Sequence, residues 1–134
     1  IQASAEQIRL IIDQQFEAGI KSNRLILAGF SQGGVIALHT ALRLQDRLAG
    51  VIALSTYLHD PQTAEAERHD ENLALPIFMG HGQGDPMIPI MRAATARENL
   101  IRLGYDVTWR DYPMAHQVCL EEIEDIAGFI REIL

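Results

Sequence analysis

Basic residues are scarce in this sequence. Eleven lysines and arginines stand against 18 aspartates and glutamates, giving a net charge of -7. With no basic run anywhere, the chain lacks what a phosphate backbone attracts, and nucleic acid is not an expected partner. Anionic membrane surfaces are disfavoured on the same ground. Cysteine is scarcer still. Cys119 is the only one, which excludes an internal disulfide. A reducing, cytoplasmic compartment agrees with that. Long apolar runs are missing too. Stretches such as residues 51–54 are far too short to span a bilayer. Nothing after Ile1 reads as a signal peptide, and there is no repeat or low-complexity segment. No Pro/Gly-rich linker divides the chain, so a single domain over residues 1–134 is expected.

What is present is alternation. Ser4 and Gln7 read as a capping box opening a helix with Ile8, Ile11, Ile12 and Phe16 on one face and Gly19 at its end. Residues 24–30 read as a short buried strand, and residues 33–44 as a helix. Residues 50–55 form the next expected strand. A polar stretch over residues 57–75 reads as a surface excursion or lid. Residues 77–80 are a third strand, opened by Pro76. Residues 89–103 are a helix closed by Gly104, and residues 107–110 a half-exposed edge strand. The last helix carries Ile123, Ile126, Ala127 and Ile130 as its apolar stripe, with Glu121, Glu122, Glu124 and Asp125 near its start. Short buried strands alternating with helices predict an α/β fold: a mainly parallel sheet with helices on both faces.

The chemistry concentrates in three places. Gly29-Phe30-Ser31-Gln32-Gly33 fits G-x-S-x-G between an expected strand and an expected helix. In such a turn the flanking residues must be small, the serine is held in a strained conformation, and its hydroxyl is pushed out above the sheet. The next amide, that of Gln32, can donate to an oxyanion. A phosphate-binding glycine turn is the rival reading, but the P-loop lysine and the G-x-G-x-x-G spacing are both absent.

A serine nucleophile needs a base. His39 falls inside a helix, His59 and His69 lie in the polar excursion, and His81 ends a strand. His116 sits in a loop after the last strand, where this sheet type gathers its site, and comes last in the order Ser…Asp/Glu…His. Asp85 follows the third strand and fits the orienting acid. Asp111 is the rival, being close to His116 in sequence but inside a strand. Cys119 and His116 are a conceivable nucleophile pair with poor spacing. The histidines show no metal-ligand spacing. Met79, Met87 and Ile88, together with Ile90, are candidate acyl-pocket residues, with ordinary core as the equal alternative.

The motif around Ser31, the strand at residues 50–55, His81-Gly82 with Asp85, and Tyr112-Pro113-Met114-Ala115-His116 together resemble the bacterial carboxylesterases related to acyl-protein thioesterases and lysophospholipases. The resemblance runs the length of the chain. It implies an α/β-hydrolase that cleaves carboxylic esters of short to medium acyl chain through an acyl-enzyme, with some members acting on thioesters or lysophospholipids and none using a metal or cofactor. It also implies that about 80 further residues would precede Ile1 in a full member, carrying the N-terminal strands and the second oxyanion amide. Without them, the strand at residues 24–30 would have a bare edge, through which a non-catalytic remnant would associate into a homodimer.

Overall fold

The computed structural model describes residues 1–134. Its elements run α1 (Gln2–Glu17), β1 (Ile26–Phe30), α2 (Gln32–Arg43), β2 (Gly50–Leu54), α3 (Pro61–Glu67), β3 (Pro76–Gly82), α4 (Ile90–Arg102), β4 (Asp106–Tyr112) and α5 (Leu120–Ile133). All three strand pairings are parallel, and the strand order is β1-β2-β3-β4. Each strand therefore lies beside its neighbour in the chain, with one crossover between them.

Side-chain parity divides the sheet into two faces. Val51, Ala53, Ile77 and Met79 point into the larger core, together with Ile12 of α1, Leu38, Ala41 and Leu42 of α2, Ala64 of α3, and Ala96 and Leu100 of α4. Ile52 and Phe78 point the other way, onto Phe129 of α5, with Ile126, Ile130 and Ile133 packed around them. Four helices thus share one face and α5 serves the other. Burying a side chain such as Phe78 contributes about 1.5–3 kcal/mol, and its ring tilts against Phe129 at 5.6 Å.

Several sequence expectations shift by a turn. The capping box is wrong: α1 begins at Gln2, Ile1 is its N-cap, and Ser4 lies inside the helix. Gly19 does end it, at φ 97°. Arg24 belongs to a short 3-10 turn, so β1 starts two residues later than expected. The polar excursion contains α3, capped by Asp60, whose side chain accepts from the Thr63 amide. Strand β3 runs on through His81 to Gly82.

The start of α5 holds a carboxyl group in an unusual place. Glu122 is fully buried, and neither carboxyl oxygen has a protein hydrogen-bond partner. A Cβ at Gly80 would run into that carboxyl group, so the glycine in β3 leaves the space Glu122 fills. Burial, with a smaller contribution from Asp125, pushes the Glu122 pKa up to about 7. The nearby Tyr112 hydroxyl, which donates to Asp125 Oδ2 at 2.7 Å, is raised mainly by burial as well. A folded-state pKa above the unfolded value means that Glu122 supports the fold fully below its ordinary carboxyl pKa and loses that support as pH rises through about 7. Urea midpoints should therefore fall between pH 5 and pH 8. Glu122→Gln should match the parent at pH 5 and exceed it at pH 8 by on the order of 1–3 kcal/mol. Parallel pH profiles for the two proteins would refute this.

Candidate active site

Ser31 sits between β1 and α2 with φ 58° and ψ -121°. That is left-handed territory for a residue with a side chain, and the surroundings hold it there. Its amide donates to Leu54 O at 2.8 Å. Its carbonyl accepts from Thr56 Oγ1 at 2.7 Å and also from the amide of Gly34. Gly29 of the motif and Gly34 just beyond it have distinct jobs, whereas a Cβ at Gly33 would meet open space. A Cβ at Gly29 would strike the backbone of Gly33 and Gly34, and one at Gly34 would press on Thr56. Strand and helix meet too closely there for any larger residue.

Two loops bring the partners. The segment after β3 is stitched to the segment after β4 by the Gln83 amide on Tyr112 O, at 2.8 Å, and the Gly84 amide on Met114 O, at 3.1 Å. A Cβ at Gly82 would collide with the carbonyls of Met114 and Ala115, so this docking also depends on a glycine. The result is a continuous hydrogen-bonded chain. His116 Nδ1 lies 2.7 Å from Asp85 Oδ2, and His116 Nε2 lies 3.0 Å from Ser31 Oγ.

Electrostatics fix the direction of that chain. Burial raises the Asp85 pKa, but the Ile88 amide, the His116 hydrogen bond and the Met87 amide together outweigh it and leave the carboxyl below its ordinary value. Both amides donate to Oδ1 at 2.9 Å. An ionised Asp85 can only accept, so His116 Nδ1 carries the proton and Nε2 faces Ser31 as the acceptor. The Asp85 side chain is fully buried and that of His116 is nearly so. Phe30 lays its ring against the imidazole, centroids 4.8 Å apart, while remaining partly exposed itself.

Gln32 is the first residue of α2, so its amide lies outside the ladder of the helix. It sits next to the Ser31 hydroxyl at the positive end of the helix. The rival residues lie elsewhere. Asp111 is on exposed β4, where it accepts from Gln83 Nε2 and Trp109 Nε1. Those two bonds pull its pKa down, Gln83 being the larger cause. Cys119 caps α5 and His39 lies within α2. His69 accepts from the Glu71 amide. No His/Cys/Asp/Glu group has an arrangement that could hold a metal ion.

Of the acyl-pocket candidates, Met79 takes the ordinary-core alternative. Met79 faces the large core beneath the sheet, since alternation along β3 puts it on the helix-covered side with Ile77. Met87 is 69% exposed, and Ile88 contributes its backbone to the Asp85 turn. No cavity is lined by these residues. The apolar groove lies instead along β1, about 430 Å³, between Ile8 and Ile11 of α1, Leu25 and Leu27, and Ile36 of α2.

Residues 1–134 match the phospholipase/carboxylesterase family from end to end. The chain belongs to that family. Among curated relatives of this phospholipase/carboxylesterase chain, an acyl-protein thioesterase 1 of Neurospora crassa is 39% identical over 92% of it and 52% of the relative. One of Gibberella zeae is 36% identical, covering all of this chain and 58% of the other. The phospholipase/carboxylesterase chain thus spans little more than half the length of these relatives. The crystal structure of esterase PE8 superposes with a TM-score of 0.85 at 32% identity, over 98% of this chain and 63% of PE8. Arabidopsis thaliana SOBER1 gives a TM-score of 0.93 at 23% identity, over 98% and 63%, and its likeness speaks for the fold. The architecture is that of the α/β-hydrolases.

Proposed function

We propose that this chain is the catalytic portion of a serine hydrolase that cleaves carboxylic esters of short to medium acyl chain. Thioesters of acylated proteins and lysophospholipids are the alternative substrates on the same machinery. The relatives named as thioesterases put the thioester on an equal footing with the ester. One observation carries the reading: the unbroken Ser31–His116–Asp85 hydrogen-bonded chain above a strained strand-to-helix turn.

Ser31 Oγ attacks the acyl carbonyl while His116 Nε2 takes its proton. His116 then protonates the leaving alcohol or thiol. The Gln32 amide holds the oxyanion, joined by one donor from outside residues 1–134. Water gives a proton to His116 and attacks the acyl-serine; collapse releases the acid as His116 returns that proton to Ser31 Oγ. The cycle balances with these groups alone and calls for no metal or cofactor. Labelling by a fluorophosphonate, read as an intact-mass shift, tests the nucleophile. Parallel assays with p-nitrophenyl esters and an S-acylated peptide separate ester from thioester preference. Absence of both labelling and turnover would overturn the reading. A cytoplasmic setting is compatible with the single cysteine, which forms no internal disulfide in any compartment, and no helix is long and apolar enough to cross a membrane.

The groove along β1 favours a second reading for these 134 residues by themselves. Ile11, which lines it, is more than half exposed, and β1 pairs with β2 on one side only. A flat apolar edge of this kind recruits another strand. The isolated chain is expected to form a homodimer through β1, or to be poorly soluble, and to be a weak esterase. Sedimentation showing a stable monomer with vigorous ester turnover would refute this.

A further inference from the structure

His81 is the one buried titratable group beside the triad that the proposed chemistry leaves unused. Its side chain is 1% exposed at the end of β3. Its Nε2 lies 2.7 Å from the carbonyl oxygen of Ile88. A carbonyl can only accept, so Nε2 carries the proton and donates. The same Nε2 lies 3.5 Å from Asp85 Oδ2, the oxygen that accepts the hydrogen bond of His116 Nδ1. Asp85 Oδ1 is held meanwhile by the amides of Met87 and Ile88. The turn over residues 85–88 is thus fastened at one end to its own carboxylate and at the other to His81.

We propose that His81 is a positioning residue for the hydrolytic reaction: by clamping the Ile88 carbonyl it fixes the turn whose amides aim Asp85 at His116. The clamp works through the backbone. Ile88 presents its amide to Asp85 and its carbonyl to His81, so release of the carbonyl loosens the residue whose amide orients the acid. A partly buried, unpaired Ile88 carbonyl would turn toward any other donor, and its amide would leave Oδ1. Strand β3 supplies the anchor, because His81 is a strand residue hydrogen-bonded in register with β4. The imidazole is too deep to touch substrate. Its loss should act on turnover and on the basicity of His116, not on substrate affinity.

The test rests on the triad reading for its kinetics but has an arm independent of it. His81→Phe fills the space and cannot donate, whereas His81→Gln offers an amide donor toward Ile88. The Phe variant should lose about 10–100-fold in kcat with KM nearly unchanged. The acid limb of its pH–rate profile should move to lower pH, since a misaimed Asp85 stabilises the imidazolium less. The Gln variant should recover much of the loss. Without substrate, the downfield proton resonance of His116 Nδ1 should be sharp in the unsubstituted protein and shifted upfield or broadened in the Phe variant. An unchanged resonance, or an unchanged kcat and acid limb, would overturn the proposal. If neither variant folds, nitrogen-15 spectra of the unsubstituted protein decide: an Nε2-protonated His81 tautomer supports the clamp, and an Nδ1-protonated one overturns it. An intact His116 resonance in a protein that hydrolyses no ester or thioester would count against the hydrolase reading and leave the clamp standing.

Discussion

Ser31→Ala is expected to abolish fluorophosphonate labelling and to lower turnover by on the order of 10⁶. No neighbouring hydroxyl can take over. The Ser55 hydroxyl is fully buried, and Thr56 Oγ1 is committed to the Ser31 carbonyl. Only Ser31 Oγ stands within reach of His116 Nε2, at 3.0 Å. The substitution removes one oxygen and leaves the turn pinned by its backbone bonds to Leu54 and Gly34. Circular dichroism should therefore show an unchanged fold. Retention of most of the activity in this variant would remove Ser31 from the nucleophile's role.

Asp85→Asn should cost about 10⁴ in kcat, the loss seen when a serine-protease triad receives the same change. The hydrogen-bond pattern at Asp85 explains why so small a change does so much. Oδ1 takes two amide donors, so the asparagine oxygen must occupy that position. Its NH2 group then faces His116 Nδ1, where the carboxylate oxygen used to accept. The imidazole must turn its lone pair to Nδ1 and carry its proton on Nε2, so it can no longer take a proton from Ser31. Asp111→Asn should leave kcat within a small factor, because Asp111 bonds only to Gln83 and Trp109. Steady-state kinetics on the two variants decide between the carboxylates, and the reverse ranking would reassign the acid.

The candidate site was legible because its geometry needs particular residue types at particular places. A strand meeting a helix with no room to spare demands Gly29, which the motif spacing marks, and Gly34, which lies outside the motif, whereas Gly33 of the motif has open space beside it. Asp85 and His116 could be found because each follows a strand of a parallel sheet, where side chains from different loops converge. What escaped depended on direction, which spacing does not carry. Sequence leaves Met79 between an acyl pocket and the core, and the parity it shares with Ile77 sends it into the core. Ser4 followed by Gln7 has the pattern of a cap, yet Ile1 takes that position because the helix continues upstream of them. Glu122 looked like one of several acids favoured at a helix start. Its burial against Gly80 follows from how α5 lies on β3, a tertiary fact. His81 reads from sequence as the end of a strand and as part of the His81-Gly82 segment before Asp85, with no role attached. Its bond to Ile88 depends on the fold of the turn between them.

The order of the strands has a consequence for how the site comes into being. Ser31 and His116 are 85 residues apart, and β1 to β4 join the sheet in the order they are synthesised. A nascent chain can lay β2 against β1 and bend the serine into its strained turn, since the bonds that pin Ser31 come from Leu54, Thr56 and Gly34. At that stage the hydroxyl has neither base nor acid. Asp85 arrives with β3, and His116 becomes available only after β4 has left the ribosome. The loop that carries it must then dock over Gly82. On the proposed assignment, the strained Ser31 turn precedes its base and acid in folding, and the three side chains come together in one late step.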